Sequence, residues 1–344
     1  MSDILFQFEE HLRDRRVILY GTGIAATDLF ITLLERGITV AFVCDKEKRG
    51  VFGTAAIPII SPEKLTQDYQ DAVVIIGSIT YENEILANLI RLGFQQNQIE
   101  LYPRAYVFEK HRHGYAWAHE FFTDERSKRL VTDLARMHTD GAPMEINSDS
   151  PRYYEEGIIT LGENEVFVDG GAYTGESVIP FINRVNNRYD HVYAFEPDSV
   201  NYKKAVQALS VYPAVEVVQK GLWSVATELF FAENNVDRAA SAFRSSDDAG
   251  IRVPVTSLDA FFQGKSTSEW PTFIKMDIEG SEKEALLGAA EIIRQVKPKM
   301  AICAYHKLED IYELPQTITN IRGDYRFCLR QHYAGAWDTV LYAV

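Results

Sequence analysis

Three carboxylates stand directly behind short apolar runs in the second half of the chain. Asp169 follows Val166-Phe167-Val168, Glu196 closes HVYAF at 191–195, and Asp277 follows TFIKM at 272–276, with Glu279 two places on. Runs this short, rich in β-branched and aromatic residues, read as buried strands rather than helices. Behind Asp169 comes a glycine turn (Gly170, Gly171, Gly175), then the apolar positions of a helix (Val178, Phe181, Ile182). Strand, glycine turn and helix together aim backbone N–H groups at a polar ligand. The spacing D-G-G-x-x-x-G is not the G-x-G-x-x-G that closes on a pyrophosphate. A looser turn with an acid at the strand tip suits a ligand carrying an amino-acid tail and no phosphate. Glu196, roughly 20 residues past the turn, is placed to accept the hydroxyls of a ribose. Without a Lys or Arg to balance Asp169 and Glu196, the pair is expected to repel a pyrophosphate and to receive the ammonium and ribose of S-adenosylmethionine. A plain βαβ turn with capping carboxylates is the competing reading.

The remaining strand tips supply the other candidates, because ligands in open α/β sheets lie beyond the carboxyl ends of the strands. The run 215–219 (VEVVQ) delivers Lys220, Gly221 and Leu222, a place to flank an adenine. Asp277 and Glu279 can orient an acceptor hydroxyl, take its proton, or hold a divalent cation. Glu279 is equally explained as a first-turn charge favourable to the helix dipole. The run 300–304 (MAICA) delivers Tyr305, His306 and Lys307. His306 is a candidate base, since an ordinary imidazole titrates near about 6.5. His332 is a weaker candidate for substrate contact. Transfer of a methyl group from a sulfonium to an oxygen needs alignment more than acid–base power, and no nucleophilic Cys or Ser-His-Asp set is found.

These segments resemble the FkbM family of S-adenosylmethionine-dependent methyltransferases. The resemblance covers residues 153–344 and is carried by EVFVDGGAYTGES, VYAFEPDSVNY, GLWS at 221–224, FIKMDIEGSEKEALLGA at 273–289, KPKMAICAYHKLEDIYELP at 297–315, and the ending H-Y-x-x-x-W-D-T-V-L-Y-A-V from His332. It implies an O-methyltransferase acting on a hydroxyl of a sugar or related small metabolite, such as a cell-envelope glycan or a secondary metabolite. The implied donor contacts are Asp169, Gly170, Gly171, Gly175, Glu196, Gly221, Leu222 and Asp277. The catalytic candidates are Asp277, Glu279 and His306. No metal site is predicted. The acceptor pocket is expected in loops such as 233–250.

The expected fold is α/β throughout. A Rossmann-like methyltransferase sheet at 153–344 is preceded by a smaller Rossmann-like domain over 1–105 and a helical linker at 106–152. In the small domain, the strand 17–20 (VILY) runs into Gly21-Thr-Gly23-Ile-Ala-Ala26, a dinucleotide fingerprint with alanine in third place, and Asp45 falls about 20 residues on. Gly21, Gly23 and Asp45 could bind a nucleotide or nucleotide-sugar, or the domain could keep the fold for packing or dimerisation. Two rival functions follow: an NAD-dependent oxidoreductase built on this fingerprint, or a non-catalytic nucleotide-binding protein. In the linker, His111 and His113 lie on different faces of a helix, and neither they nor His119 have the partners of a metal set.

The formal charge of −14 argues against wide contact with nucleic acid or an anionic membrane. Three scattered cysteines (Cys44, Cys303, Cys328) give neither a disulfide framework nor a zinc site. No apolar run is long enough to insert into a membrane, and the N-terminus does not read as a signal peptide. A cytoplasmic location is expected, with a small-molecule or glycan acceptor as partner and a homo-oligomer left open.

Overall fold

The computed structural model describes residues 3–53, 55–69, 71–232, 242–244, 251–334 and 338–344. The chain divides into two compact units, Met1–Lys110 with His138–Gly141, and His111–Met137 with Ala142–Val344. Residues read as a linker at 106–152 are thus shared between the units.

The first unit holds a six-stranded sheet of β1 (Val17–Tyr20), β2 (Val40–Cys44), β3 (Gly50–Phe52), β4 (Ile57–Ile60), β5 (Val73–Ile76) and β6 (Ile99–Glu100), in the order β3-β4-β2-β1-β5-β6. Only the β3–β4 pair is antiparallel. β1 and β5 are buried along their whole length, which is why both read as unbroken apolar runs rather than alternating ones. The helix after β1 starts at Ile24, directly on Gly23. Strands β3, β4 and β6 were not expected from the sequence.

The second unit carries a seven-stranded sheet of β7 (Val166–Gly170), β8 (His191–Phe195), β9 (Val215–Val218), β14 (Phe273–Met276), β15 (Lys299–Cys303), β16 (Phe327–Gln331) and β17 (Thr339–Ala343). Between β9 and β14 lie β10 (Gly221–Leu222), β11 (Thr227–Ala232), β12 (Ala242–Arg244) and β13 (Ile251–Thr256), which form a separate four-stranded sheet. The large sheet runs β16-β17-β15-β14-β7-β8-β9. All its pairs are parallel except those made by β17. The order reverses direction between β7 and β14, so the crevice beyond their carboxyl ends is the switch point where such sheets bind ligands. Under the sheet, Phe167 stacks on Phe181 at 4.5 Å and on Phe273 at 5.0 Å. The helix Arg112–Phe121 packs on the helix Asp310–Ile321. Gly114 lies against Tyr312 so closely that a Cβ there would enter the ring.

Candidate active site

Asp169 and Lys275 face each other because β7 and β14 pair in parallel with these two residues in register. Lys275 Nζ lies 2.8 Å from Asp169 Oδ1, and both side chains are buried. This corrects the expectation that no cation balances Asp169: the balance comes from inside the adjacent strand. Burial works against the lysine's charge, yet Asp169 and Asp277 hold the ammonium above its ordinary range. The same Nζ donates to the carbonyl oxygens of Gly170 (3.1 Å) and Gly171 (2.7 Å). Ser177 donates to the other oxygen of Asp169 at 2.5 Å. The acid is therefore fully enclosed and anchors the turn from behind. Gly171 has φ +74°, and a Cβ there would land on the carbonyl oxygen of Asp277, so the β7 turn and the β14 tip fit together only through glycine. Leu222, buried at the end of β10, packs on Gly170 from the other side.

Glu196 stands at the tip of β8 and is tied to the same turn. Its Oε2 accepts from the N–H of Tyr173 at 2.8 Å, and its Oε1 from the N–H of Asp198 at 2.9 Å. Gly171 and Ala172 donate their N–H groups to the carbonyl of Phe195. Burial pushes the Glu196 carboxyl up to about 7, against the two backbone N–H groups that favour its charge. Asp198 caps the following helix, accepting from Val200 and Asn201.

At the β14 tip, Asp277 is held on three sides. Oδ2 accepts from Arg152 Nη2 (2.8 Å) and the Tyr153 hydroxyl (2.9 Å), and Oδ1 accepts from the Tyr305 hydroxyl (2.9 Å). Arg152 also pairs with Asp338 at 2.6 Å and lies over the Tyr153 ring at 4.6 Å. Burial opposes charge on Asp277, but contact with His306 and the nearby Lys275 and Arg152 hold its carboxyl well below the carboxylate range. His306 sits among acids: Nδ1 is 3.0 Å from Glu282 Oε1, and Nε2 is 3.3 Å from Asp277 Oδ1 and 3.6 Å from Glu279 Oε1. Burial alone would lower its pKa, but Glu282 and the contacts with Asp277 and Glu279 raise it well above the ordinary imidazole value. The imidazole expected to be a free base is thus held among three carboxylates, which favour its protonated form. Burial and the charge of Glu282 push the neighbouring Asp310 carboxyl up to about 8. Glu279 itself is left-handed (φ +55°), followed by Gly280 at +88°, so the turn D-I-E-G swings its side chain toward His306.

Residues 169–327 match the family described as methyltransferase FkbM domain. They are an FkbM methyltransferase domain. Residues 13–100 match a second family, described as C2185-like, N-terminal. A crystal structure of methyltransferase FkbM from Methylobacillus flagellatus KT is similar over 100% of this chain and 94% of its own, with 22% identity and a TM-score of 0.59. At that identity the likeness speaks to the fold. Aeropyrum pernix fibrillarin, solved with natively bound S-adenosyl-L-methionine, overlaps more loosely: 10% identity, 55% of this chain and 71% of that one, TM-score 0.35. No curated protein matches the sequence.

Within the FkbM domain, then, Asp169, Gly170, Gly171 and Glu196 gather on one turn, and Asp277, Glu279 and His306 gather at the next strand tip. Gly175 closes the turn, its N–H donating to Ala172, and Gly221 begins β10. Four residues in these contacts were missed by the sequence reading: Lys275, Arg152, Tyr153 and Glu282. Lys275 had a visible signal, a charged residue inside an otherwise apolar strand, where an unpartnered Lys is almost never buried. Arg152 and Tyr153 precede the first strand of the domain and gave none. His332 is turned inward, with Nε2 2.8 Å from the Tyr342 hydroxyl and Nδ1 3.1 Å from the Ser150 carbonyl. Burial lowers its pKa, so it is a neutral packing residue and not the substrate contact expected. His111 is buried with Nδ1 3.0 Å from the Tyr312 hydroxyl. The loop 233–250, apart from 242–244, lies outside the described residues.

In the first unit, Gly21 takes φ +125° against Gly77. Asp45, expected on a ribose, is occupied internally: it accepts from the Thr22 hydroxyl (2.6 Å) and from the N–H groups of Glu47 (2.9 Å) and Lys48 (2.8 Å). Burial opposes its charge, but these donors hold its carboxyl below the ordinary range.

Proposed function

We propose that the chain is an S-adenosylmethionine-dependent O-methyltransferase acting on a hydroxyl of a sugar or related small metabolite. The observation that carries this reading is Glu196, held by the Tyr173 N–H at 2.8 Å so that its carboxylate stands against the glycine turn, beside the switch point where such sheets bind ligands. The donor supplies a methyl group on a cationic sulfur. Glu196 would take the ribose hydroxyls, the turn at Gly170–Gly171 would meet the amino-acid tail, and Leu222 would border the base. Asp169 serves as a positioning residue, holding the turn through Ser177 and Lys275. Asp277, whose neighbours favour its charged form, would accept a hydrogen bond from the acceptor hydroxyl and align its oxygen. Transfer then forms an O–C bond as the C–S bond breaks, and the hydroxyl proton leaves to Asp277 or to water. Alignment of this kind supplies much of the rate in displacement at carbon.

Calorimetric titration of the full chain with S-adenosylmethionine and, separately, with NAD tests the reading. Saturable binding of the first is expected, weakened roughly tenfold or more by Glu196→Ala, on the scale of losing hydrogen bonds to a buried carboxylate. Tight binding of NAD with no response to S-adenosylmethionine would overturn it in favour of an oxidoreductase.

A further inference from the structure

Beyond the β14 tip, an enclosed carboxylate, Glu282, and an enclosed imidazole, His306, stand beside Asp277. Glu282 is fully enclosed, and only 7% of the His306 side chain is exposed. Although carboxylate oxygens lie near both ring nitrogens, neither nitrogen makes a hydrogen bond, and Glu282 Oε2 has no partner either. A buried polar atom without a partner is destabilising, so the fully enclosed Glu282 Oε2 calls for a ligand that the neighbouring Asp277 and His306 can share. One donor atom from each of Asp277, Glu282 and His306 falls within 4.8 Å of the others. Opposed ligands around a cation held at 2.1 Å are about 4.2 Å apart, so small side-chain rotations close the set. Glu279 Oε1, 3.6 Å from His306 Nε2, borders it on the more exposed side.

We infer that Asp277, Glu282 and His306 form a binding site for a divalent transition-metal cation, with Glu279 as an outer ligand. The donor types choose the metal class. Two carboxylates and one imidazole suit Mn2+ or Zn2+, whereas Mg2+ and Ca2+ prefer oxygen throughout. Glu282 is already held in place, because its Oε1 accepts from the Ile278 N–H at 2.8 Å and lies 3.0 Å from His306 Nδ1, while Oε2 has no hydrogen-bond partner. Asp277 is likewise fixed by Arg152, Tyr153 and Tyr305. The site depends on the proposed methyl transfer only for its purpose, which would be to bind the acceptor oxygen beside the donor and make its proton easier to lose.

The test uses the full-length chain, stripped of metal by chelator and then titrated with MnCl2, ZnCl2 and MgCl2 by calorimetry. One Mn2+ or Zn2+ per chain is expected, with Mg2+ at least tenfold weaker. Glu282→Gln keeps the acceptor for Ile278 while removing the charge, and should weaken binding at least tenfold; His306→Gln should do the same. Electron spin-echo spectra of the Mn2+-loaded wild type give a reading that needs no variant, and should show coupling to one imidazole nitrogen. No Mn2+ or Zn2+ uptake at millimolar metal, wild-type affinity in both variants, or spectra without nitrogen coupling each overturn the inference. S-adenosylmethionine is titrated into the same metal-free protein. Donor binding without metal uptake removes the cation site alone, and metal uptake without donor binding removes the proposed function alone.

Discussion

Glu196 carries two opposing demands on one carboxylate. Two backbone N–H groups favour its charge, while burial disfavours it more strongly and sets its pKa at about 7 rather than 4.5. The folded chain therefore binds this proton more tightly than the unfolded chain. The resulting stabilisation is complete below pH 4.5 and is lost as pH rises through 7, and it amounts to roughly 3 kcal/mol at most. Ligand binding should have the opposite dependence, because ribose hydroxyls donate to the ionised form. Donor affinity is expected to rise about tenfold between pH 6 and pH 8, following the ionised fraction. Glu196→Gln should flatten that profile and remove the associated loss of stability. Calorimetric titrations across this range, with wild type and variant in parallel, check it. A wild-type profile as flat as the variant's would show that the carboxylate does not meet the donor.

At the scale of elements, strand register turns single residues into a site. β7 and β14 pair so that Asp169 and Lys275 meet, and a slip by one residue would send Lys275 to the opposite face. The strands themselves were legible: β1 was read at its observed bounds, β7, β8 and β14 within two residues, because buried parallel strands write continuous apolar runs. What the sequence concealed was pairing. Nothing in FIKM says which neighbour receives the lysine, and nothing in PRYY at 151–154 says that Arg152 reaches Asp277. The glycine turn and Glu196 were legible because local spacing fixes them. The imidazole's surroundings were not, since Asp277 and Glu282 share one turn while His306 comes from the tip of the next strand, and only the pairing of β14 with β15 brings them together. The enclosed ion pair makes a sharp forecast. Lys275→Met leaves Asp169 charged and without its cation, which should cost about 3–5 kcal/mol. Adding Asp169→Asn should recover part of that loss, because the stranded charge is gone. Thermal denaturation of wild type, single and double variants reads both effects, and a single variant as stable as wild type would show the pair to be inert.

Across the whole molecule, two sheets of related design carry a glycine turn after their first strand and an acid after their second. Similar patterns have been put to different uses. In the second unit the acid at the β8 tip is held by the glycine turn through the Tyr173 N–H and is proposed to meet the donor. In the first, the acid past β2 is consumed by its own loop: Asp45 ties Thr22 to the backbone of Glu47 and Lys48. The fingerprint spacing at Gly21 to Ala26 therefore describes a way of turning a strand into a helix, and a ribose contact by Asp45 would have to displace bonds already made. Because every residue assigned to donor binding lies in the second unit, the two sites should be separable. Asp45→Ala is expected to destabilise the first unit by about 1–2 kcal/mol, from the loss of its capping-type hydrogen bonds. Donor affinity should stay within twofold of wild type. Thermal denaturation and an S-adenosylmethionine titration on the same preparation measure the two quantities together. A large fall in donor affinity with no change in stability would mean that the first unit takes part in binding, and the division of labour argued from Asp45's internal bonds would fail.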